Sequence, residues 1–86
     1  MSQSVEIQHS PAQQRFVIQW ENEQAELLYS LDLNSGKINF YRTYVPPSAR
    51  GQGLARQLVD AGIPWAKAQG YEMQASCSYV QPFLKK

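Results

Sequence analysis

The first half of the chain alternates apolar and polar residues, which predicts a series of β-strands. β-Branched and aromatic side chains dominate these stretches, and such residues favour a pleated, half-buried surface. The predicted strands cover residues 4–8, 15–20, 25–32 and 37–45. Asn34-Ser35-Gly36 joins the last two as a hairpin, because Asn and Gly tolerate positive φ angles. We therefore expect an antiparallel meander.

Strict alternation also assigns the side chains of the fourth strand to two faces. The even-numbered residues share one face, namely Ile38, Phe40, Arg42 and Tyr44. The odd-numbered residues share the other, namely Asn39, Tyr41, Thr43 and Val45.

A period of three to four residues replaces the alternation in the second half and predicts a helix over residues 52–69. Its apolar face is formed by Leu54, Leu58, Ala61, Trp65 and Ala68. Gly70 is a suitable terminator. Pro64 removes a backbone hydrogen bond beside Gly62, so we expect a kink or a helix end near residues 61–64.

Residues 71–76 form a further predicted strand, and a short terminal helix is predicted over 79–84, interrupted or initiated near Pro82. The element order is β, β, β, β, α, β, α. A crossover helix between two strands makes those strands parallel. The expected fold is α+β, a single domain over residues 1–86 with a mixed, mainly antiparallel sheet and one splayed parallel pair beside the glycine-rich turn.

Composition excludes several function classes. A net charge of +1 with 17% charged residues provides no basic field for nucleic acid. No run approaches the roughly 18 apolar residues of a membrane span, so we expect a cytoplasmic protein. Cys77 is the one cysteine, and His9, expected to be exposed without a role, is the one histidine; neither a disulfide nor a metal site is expected. The small core leaves both a monomer and a weak homodimer open.

The segment from Val45 to Ala55 runs from a strand through prolines and two glycines into the helix. The first N–H groups of a helix lack intrahelical partners and carry the positive end of the helix dipole. Gly51 and Gly53 let an anion approach the bare backbone there. This pattern predicts a phosphate or pyrophosphate site.

The spacing in this segment resembles the GNAT superfamily of acetyl-CoA-dependent acetyltransferases, whose loop reads V-x-P-x-x-R-G-x-G-x-G/A. Every fixed position matches between Val45 and Ala55. Cys77-Ser78-Tyr79-Val80 matches the C-S-Y-V element of very short, single-domain members. The resemblance covers roughly residues 15–84 and implies the GNAT fold, with acetyl-CoA as co-substrate and no metal.

The resemblance also implies which residues bind the co-substrate. The pyrophosphate would lie on the backbone of Gly51, Gln52, Gly53, Leu54 and Ala55, with Arg50 near a phosphate. The pantetheine arm would pair with Thr43, Tyr44 and Val45, which places the thioester between Val45 and Cys77. Lys85 and Lys86 either meet the ribose 3′-phosphate or form a solvated tail.

The implied reaction is transfer of an acetyl group to a primary amine of a protein or small molecule. A backbone N–H within 43–45 is the expected oxyanion donor. The short members usually read H-T-E-V before the loop, whereas this chain reads Arg42-Thr43-Tyr44-Val45 and lacks that histidine and glutamate. Cys77 is then the candidate nucleophile or base, or else an inert strand-end cysteine. Tyr79 either donates a proton to the leaving thiolate or packs on the ligand.

Two other hypotheses stay open. The missing histidine and glutamate suit a non-catalytic module that binds acetyl-CoA or CoA as a sensor or interaction domain. Alternatively, the glycine loop is a structural turn that binds nothing. The sequence does not identify the amine acceptor.

Overall fold

A computed structural model describes residues 6–84 of the chain. Five strands form one sheet, and one long helix follows the fourth strand. The strands are β1 (Ile7–Ser10), β2 (Arg15–Trp20), β3 (Glu23–Asp32), β4 (Lys37–Tyr44) and β5 (Glu72–Ala75). The helices are α1 (Leu54–Ala68) and the single-turn α2 (Gln81–Leu84), with a 3-10 turn at Pro47–Ala49.

The sheet has the order β1-β2-β3-β4-β5. Consecutive strands pair antiparallel up to β4, and β5 pairs parallel to β4. This topology follows from the connections, since tight turns join antiparallel neighbours whereas α1 carries the chain across the sheet to a parallel one. The structure confirms the predicted α+β fold and the predicted element order.

The first strand differs from its predicted bounds. It spans Ile7–Ser10, whereas the alternation predicted residues 4–8. Residues 4 and 5 of that prediction, like Lys85 and Lys86, lie outside the described residues.

Helix α1 covers one face of the sheet and closes the core. Its buried residues are Leu54, Leu58, Val59, Gly62 and Ala66. Predicted Ala68 is exposed, so the buried face lies about one residue away from the predicted one. Gly62 brings helix and sheet close, because an added Cβ would lie 3.0 Å from Leu27 Cδ2 and 3.4 Å from Phe40 Cε1.

The expected helix end near residues 61–64 is wrong. Helix α1 continues through Pro64 to Ala68 and ends, as predicted, before Gly70, whose φ is +79°. Pro64 lacks the N–H that would bond the carbonyl of Asp60, and both residues are exposed, so water can take that hydrogen bond. Packing of the buried face outweighs the local penalty.

A β-bulge in β4 changes the predicted faces. Leu28 pairs with Arg42 and Tyr29 pairs with Phe40, which leaves Tyr41 as the extra residue. Beyond the bulge Thr43 pairs with Leu27, a fully buried residue, and partners directly opposite share a face. Thr43 therefore joins the core face, and the predicted placement of Arg42 and Tyr44 on that face is wrong.

The C-terminal end of α1 packs against an aromatic cluster that contains His9. The His9 ring stacks on Phe16 with centroids 4.0 Å apart and meets the edge of Trp65 at 4.4 Å. His9 Nε2 lies 2.6 Å from the hydroxyl oxygen of Tyr29. The expectation of an exposed histidine is thus wrong, because His9 is half-buried. Its position opposite Phe16 on the core face of β1 places the ring there.

Candidate functional site

The two parallel strands separate at one edge of the site. Their pairing ends where Phe40 lies beside Ala75, while β4 continues to Tyr44. Tyr41, the bulged residue, comes directly after this last pair, and a bulge bends the strand that carries it. The last residues of β4 therefore have β3 on one side and an opening on the other, which gives the splayed pair that the sequence predicted.

Asn39 fixes the point where the strands separate. Its Oδ1 accepts the backbone N–H of Ser76 at 2.9 Å, and its Nδ2 donates to the Ser76 hydroxyl at 3.0 Å. One residue on, the N–H of Cys77 donates to the carbonyl of Phe40 at 3.2 Å. Sequence analysis missed Asn39, because an asparagine on the polar face of a strand carries no signal for a partner so distant in the chain.

The opening is a cleft of about 390 Å³ between the end of β4 and the segment after β5. Its lining residues are Thr43, Tyr44, Val45, Arg50, Ala55, Cys77, Ser78 and Tyr79. The structure thus brings together the predicted strand residues, both predicted catalytic residues and part of the predicted loop.

The glycine loop forms a second hollow of about 190 Å³ that adjoins this cleft. Four residues line both, namely Val45, Arg50, Ala55 and Tyr79. Gly51 and Gly53 line the hollow with φ angles of +86° and +73°, and an added Cβ at either would have nothing within 4 Å. Both glycines therefore border open space in a backbone conformation that favours glycine.

The N-terminus of α1 at this hollow has no side-chain cap. Gly53 is the N-cap residue, and the first turn contains no acidic side chain. The first hydrogen bond of the helical pattern runs from the N–H of Gln57 to the carbonyl of Gly53 at 3.1 Å, so the N–H groups before it lack helical acceptors. Positive helix-dipole charge is left without a protein partner and attracts an anion.

Three loop residues differ in how they meet the site. The Gln52 N–H already donates to the carbonyl of Ala49 at 3.3 Å, and Gln52 lines neither hollow. The Leu54 side chain is only 1% exposed and belongs to the core, so its backbone is what it offers. The Nε–H of Arg50 donates to the carbonyl of Val45 at 3.4 Å, which places its positive charge at the mouth.

Cys77 lies half-buried in the cleft, with its Sγ 3.4 Å from the Oγ1 of Thr43. Burial raises the pKa of the thiol, but hydrogen bonds from the Thr43 hydroxyl and from backbone at Tyr79, Val80 and Thr43 outweigh it, so the pKa is lowered overall. The environment favours the thiolate, which is the nucleophilic and basic form.

Tyr79 lines both parts of the opening and is 40% exposed. Its ring packs against Phe83 of α2, with centroids 5.5 Å apart. The neighbouring Val80 is fully buried and anchors the segment in the core. The phenol is therefore held at the cleft by packing on one side and is free to meet a ligand on the other.

Comparison with known families agrees with this geometry. The profile described as GCN5-related N-acetyl-transferase matches residues 15–86. The chain belongs to this family. The resemblance drawn from the glycine loop and the C-S-Y-V element is thereby confirmed.

Three proteins are similar to this one at low identity over nearly the whole chain. Protein NATD1 of Xenopus tropicalis is 24% identical over 87 residues, covering 99% of this chain and 79% of its own length. Protein NATD1 of Bos taurus is 24% identical over 84 residues, covering 95% of this chain and 74% of its own length. For protein NATD1 of Gallus gallus the identity is 23%, with coverage of 95% and 76%.

The two hollows lack the acidic side chain and the histidine that the H-T-E-V pattern would supply, because this chain reads R-T-Y-V at residues 42–45. The described lining contains Arg50 and Arg56 but no aspartate, glutamate or histidine. Tyr44, at the glutamate position, lines the cleft, and Arg42, at the histidine position, is exposed on the opposite face of the sheet. The titratable side chains of the described lining are therefore Cys77, two tyrosines and two arginines. The tyrosines are Tyr44 and Tyr79.

Two further features concern residues 6–84. Among them, no three His, Cys, Asp or Glu side chains lie close enough together to hold a metal ion. No helix in this part of the chain is both long and apolar enough to cross a membrane.

Proposed function

We propose that the protein is an acetyl-CoA-dependent N-acetyltransferase that acts on a primary amine. One observation carries this proposal: two adjoining hollows with shared lining residues contain the uncapped N-terminus of α1, the unpaired end of β4, and Cys77. Membership of the GCN5-related N-acetyltransferase family supports the reaction class.

The residues of the opening fit acetyl-CoA. The pyrophosphate would lie on the N–H groups of Gly51, Gly53, Leu54 and Ala55, where a Cβ at either glycine would occupy the space the phosphates need. Because the Gln52 N–H is already bonded, the proposal gives it no contact. Arg50 lies close enough to the loop to turn its guanidinium toward a phosphate.

The end of β4 offers the pantetheine arm a strand edge. An extended amide chain can pair with such an edge as a peptide does when it adds a strand. Thr43, Tyr44 and Val45 line the cleft where β4 has no partner strand on the β5 side. The Val45 carbonyl already accepts a hydrogen bond from Arg50, and its second lone pair leaves it able to accept one from the pantetheine arm as well.

Bound acetyl-CoA supplies an activated acetyl thioester beside Cys77. The amine nitrogen forms a bond to the acetyl carbonyl carbon, and the carbon–sulfur bond breaks. The Cys77 thiolate takes the proton that the amine loses, and the Tyr79 hydroxyl gives a proton to the departing sulfur. A backbone N–H within 43–45 stabilises negative charge on the carbonyl oxygen. In a two-step variant, Cys77 first accepts the acetyl group and passes it to the amine.

The second candidate function is a CoA-binding module without catalysis. The absence of aspartate, glutamate and histidine from the described lining favours it, because many acetyl-transfer sites use such a base. Under this hypothesis the loop binds acetyl-CoA and Cys77 has no chemical role.

Binding is tested by thermal unfolding with and without acetyl-CoA. At a free concentration of about 100 times Kd, ligand adds about 2.7 kcal/mol to stability, a shift on the order of 10 °C in a domain of this size. Gly53→Val is expected to abolish the shift, since its side chain would project into the hollow. No shift in the unmodified protein at millimolar acetyl-CoA would contradict both candidate functions.

Gly70→Val is the matched control for that substitution. Gly70 has a φ of +79° and nothing within 4 Å of an added Cβ. A valine there therefore causes the same kind of backbone strain as at Gly53, but at the other end of α1. Both variants are expected to lose similar stability, and only Gly53→Val to lose the ligand shift. Equal ligand shifts in the two variants would place the pyrophosphate elsewhere.

Catalysis is tested with a panel of primary amines and the variant Cys77→Ser. We expect turnover with at least one amine and its loss in the variant, with acetyl-CoA binding retained. Mass spectrometry without amine shows whether Cys77 gains an acetyl group, which separates the two-step route from direct transfer. Binding without turnover on any amine would favour the module.

A further inference from the structure

Thr43 holds a position that the strand pattern does not predict. The bulge at Tyr41 turns Thr43 onto the core face, opposite Leu27, where its hydroxyl is half-buried. A hydroxyl removed from water costs free energy unless it finds a hydrogen-bond partner. The partner here is Cys77, whose Sγ lies 3.4 Å away.

This contact joins the end of β4 to the segment after β5 across the cleft. The backbone of Cys77 is held to β4 through the Phe40 carbonyl, and Thr43 lies further along the same strand. Both side chains line the cleft between the end of β4 and the segment after β5. The hydroxyl therefore contacts the sulfur at the place where the thioester is proposed to lie.

We propose that Thr43 is a positioning residue, whose hydroxyl donates a hydrogen bond to the Cys77 thiolate and holds that sulfur toward the cleft. The inference rests on the function proposed above for this site. It adds a role for the threonine of the R-T-Y-V segment that depends on its side chain, whereas pantetheine pairing uses only its backbone.

The chemistry of the pair agrees with this role. A threonine hydroxyl rotates to donate or accept, so it can accept from a thiol and donate to a thiolate. Burial alone raises the pKa of Cys77, and the Thr43 hydroxyl is the first of the hydrogen-bonding groups that lower it. The other titratable or charged side chains of the described cleft lining are Tyr44, Arg50 and Tyr79, and none of these side chains is a cause of the lowered pKa of Cys77.

The experiment measures the rate at which iodoacetamide alkylates Cys77 as a function of pH. This readout follows the thiolate and requires no acetyl transfer. The variants are Thr43→Val, which keeps the branched shape without the hydroxyl, and Thr43→Ser, which keeps the hydroxyl. Thr43→Ala is a second hydroxyl-free variant in case valine disturbs folding. Ser78→Ala removes a different hydroxyl from the same cleft lining.

We expect Thr43→Val and Thr43→Ala to move the midpoint of the alkylation profile to higher pH. At about pH 7 their rates should fall about three- to tenfold, the size expected for one lost hydrogen bond to a charged, half-exposed sulfur. Thr43→Ser and Ser78→Ala should keep the midpoint of the unmodified protein. In acetyl transfer, kcat of Thr43→Val should fall with KM for acetyl-CoA unchanged, and the deficit should shrink as pH rises.

An unchanged midpoint in both hydroxyl-free variants overturns the proposal. A midpoint that shifts equally in Thr43→Ser also overturns it, since the hydroxyl would then not be the cause. A shifted profile restored by serine, in a protein that transfers acetyl to no amine, upholds the Thr43–Cys77 pair and refutes the proposed reaction alone.

Discussion

The space between the sheet and helix α1 is filled by aromatic rings at one end and opens into the cleft at the other. At the closed end, formed by His9, Phe16, Tyr29 and Trp65, rings fill the space with centroids 4.0–5.8 Å apart. At the open end, formed by Thr43, Gly53, Cys77 and Tyr79, the strands separate and the helix begins without a cap. Each end holds one titratable group whose pKa is lowered, His9 at the closed end and Cys77 at the open end.

A lowered pKa has opposite consequences for the charge of the two groups, because it favours the neutral form of a histidine and the charged form of a cysteine. Burial lowers the pKa of His9 and so keeps the imidazole neutral. Burial opposes ionisation of Cys77 as well, but hydrogen bonds overcome it and the lowered pKa favours the charged thiolate. The comparison teaches that burial disfavours charge at both ends, and that hydrogen bonds overcome this penalty at Cys77 but not at His9.

The largest effect is expected at the closed end, from Phe16→Ala. Phe16 is 3% exposed and contacts His9 and Trp65, so its loss should cost about 3–5 kcal/mol of unfolding free energy, measured by urea denaturation. Tyr41→Ala, at an exposed position of β4, should cost less than about 1 kcal/mol. Similar losses in the two variants would mean that the aromatic cluster does not carry the core at this end.

The next effect is expected at the open end, from Tyr79→Phe. This change removes the hydroxyl and keeps the ring contact with Phe83, so unfolding free energy should stay within about 0.5 kcal/mol. If the hydroxyl protonates the departing sulfur, kcat should fall about tenfold, or about 1.4 kcal/mol in activation free energy. An unchanged kcat, measured by release of free CoA, would leave Tyr79 a packing role only.

A smaller effect is expected where the closed part of the sheet meets the open part. Asn39→Ala removes both hydrogen bonds to Ser76 and should cost about 1 kcal/mol of unfolding free energy, since both groups are exposed. Because these bonds hold the segment before Cys77, the alkylation profile of the thiol should broaden or shift. Loss of stability without any change in the alkylation of Cys77 would mean that the Asn39–Ser76 hydrogen bonds do not position the thiol.

The smallest effect is expected from titration of His9. Its pKa is lowered in the folded state, so the unfolded chain binds the proton more readily. Stability should be full above the ordinary pKa of 6.5, fall as pH drops through that value, and level off below the folded-state pKa. His9→Phe should reduce this fall as the pH drops below about 7.5 in urea titrations. An identical pH dependence in the variant would refute the contribution.

Much of the fold could be predicted because its signals are local. Alternation, the Asn34-Ser35-Gly36 turn and the helical period gave the elements in their order, and the loop spacing gave the family. A kink or a helix end was expected near residues 61–64, and the helix end was wrong because tertiary packing outweighs a local penalty. The aromatic contacts of His9 were missed because a single histidine on a short strand has no recognisable pattern.

The site was predictable in its backbone and less so in its side chains. The glycines, Cys77 and Tyr79 meet in one opening, as their motifs indicated. The face of Thr43 was predicted wrongly, because a bulge is set by the pairing of two strands and leaves no trace in the alternation of one. The hydrogen bonds of Asn39 to Ser76 could not be predicted for the same reason, since they join residues far apart in sequence.

The extra residue at Tyr41 also affects how relatives should be aligned. One inserted or deleted residue in β4 exchanges the face of every side chain that follows, as any change of register by one does. Whether an alignment gap is placed before Phe40 or after Thr43 therefore changes which residue of a relative is matched to the side chain that contacts Cys77. Between proteins as distant as this chain and the NATD1 proteins, a single gap character decides which residue is aligned with Thr43.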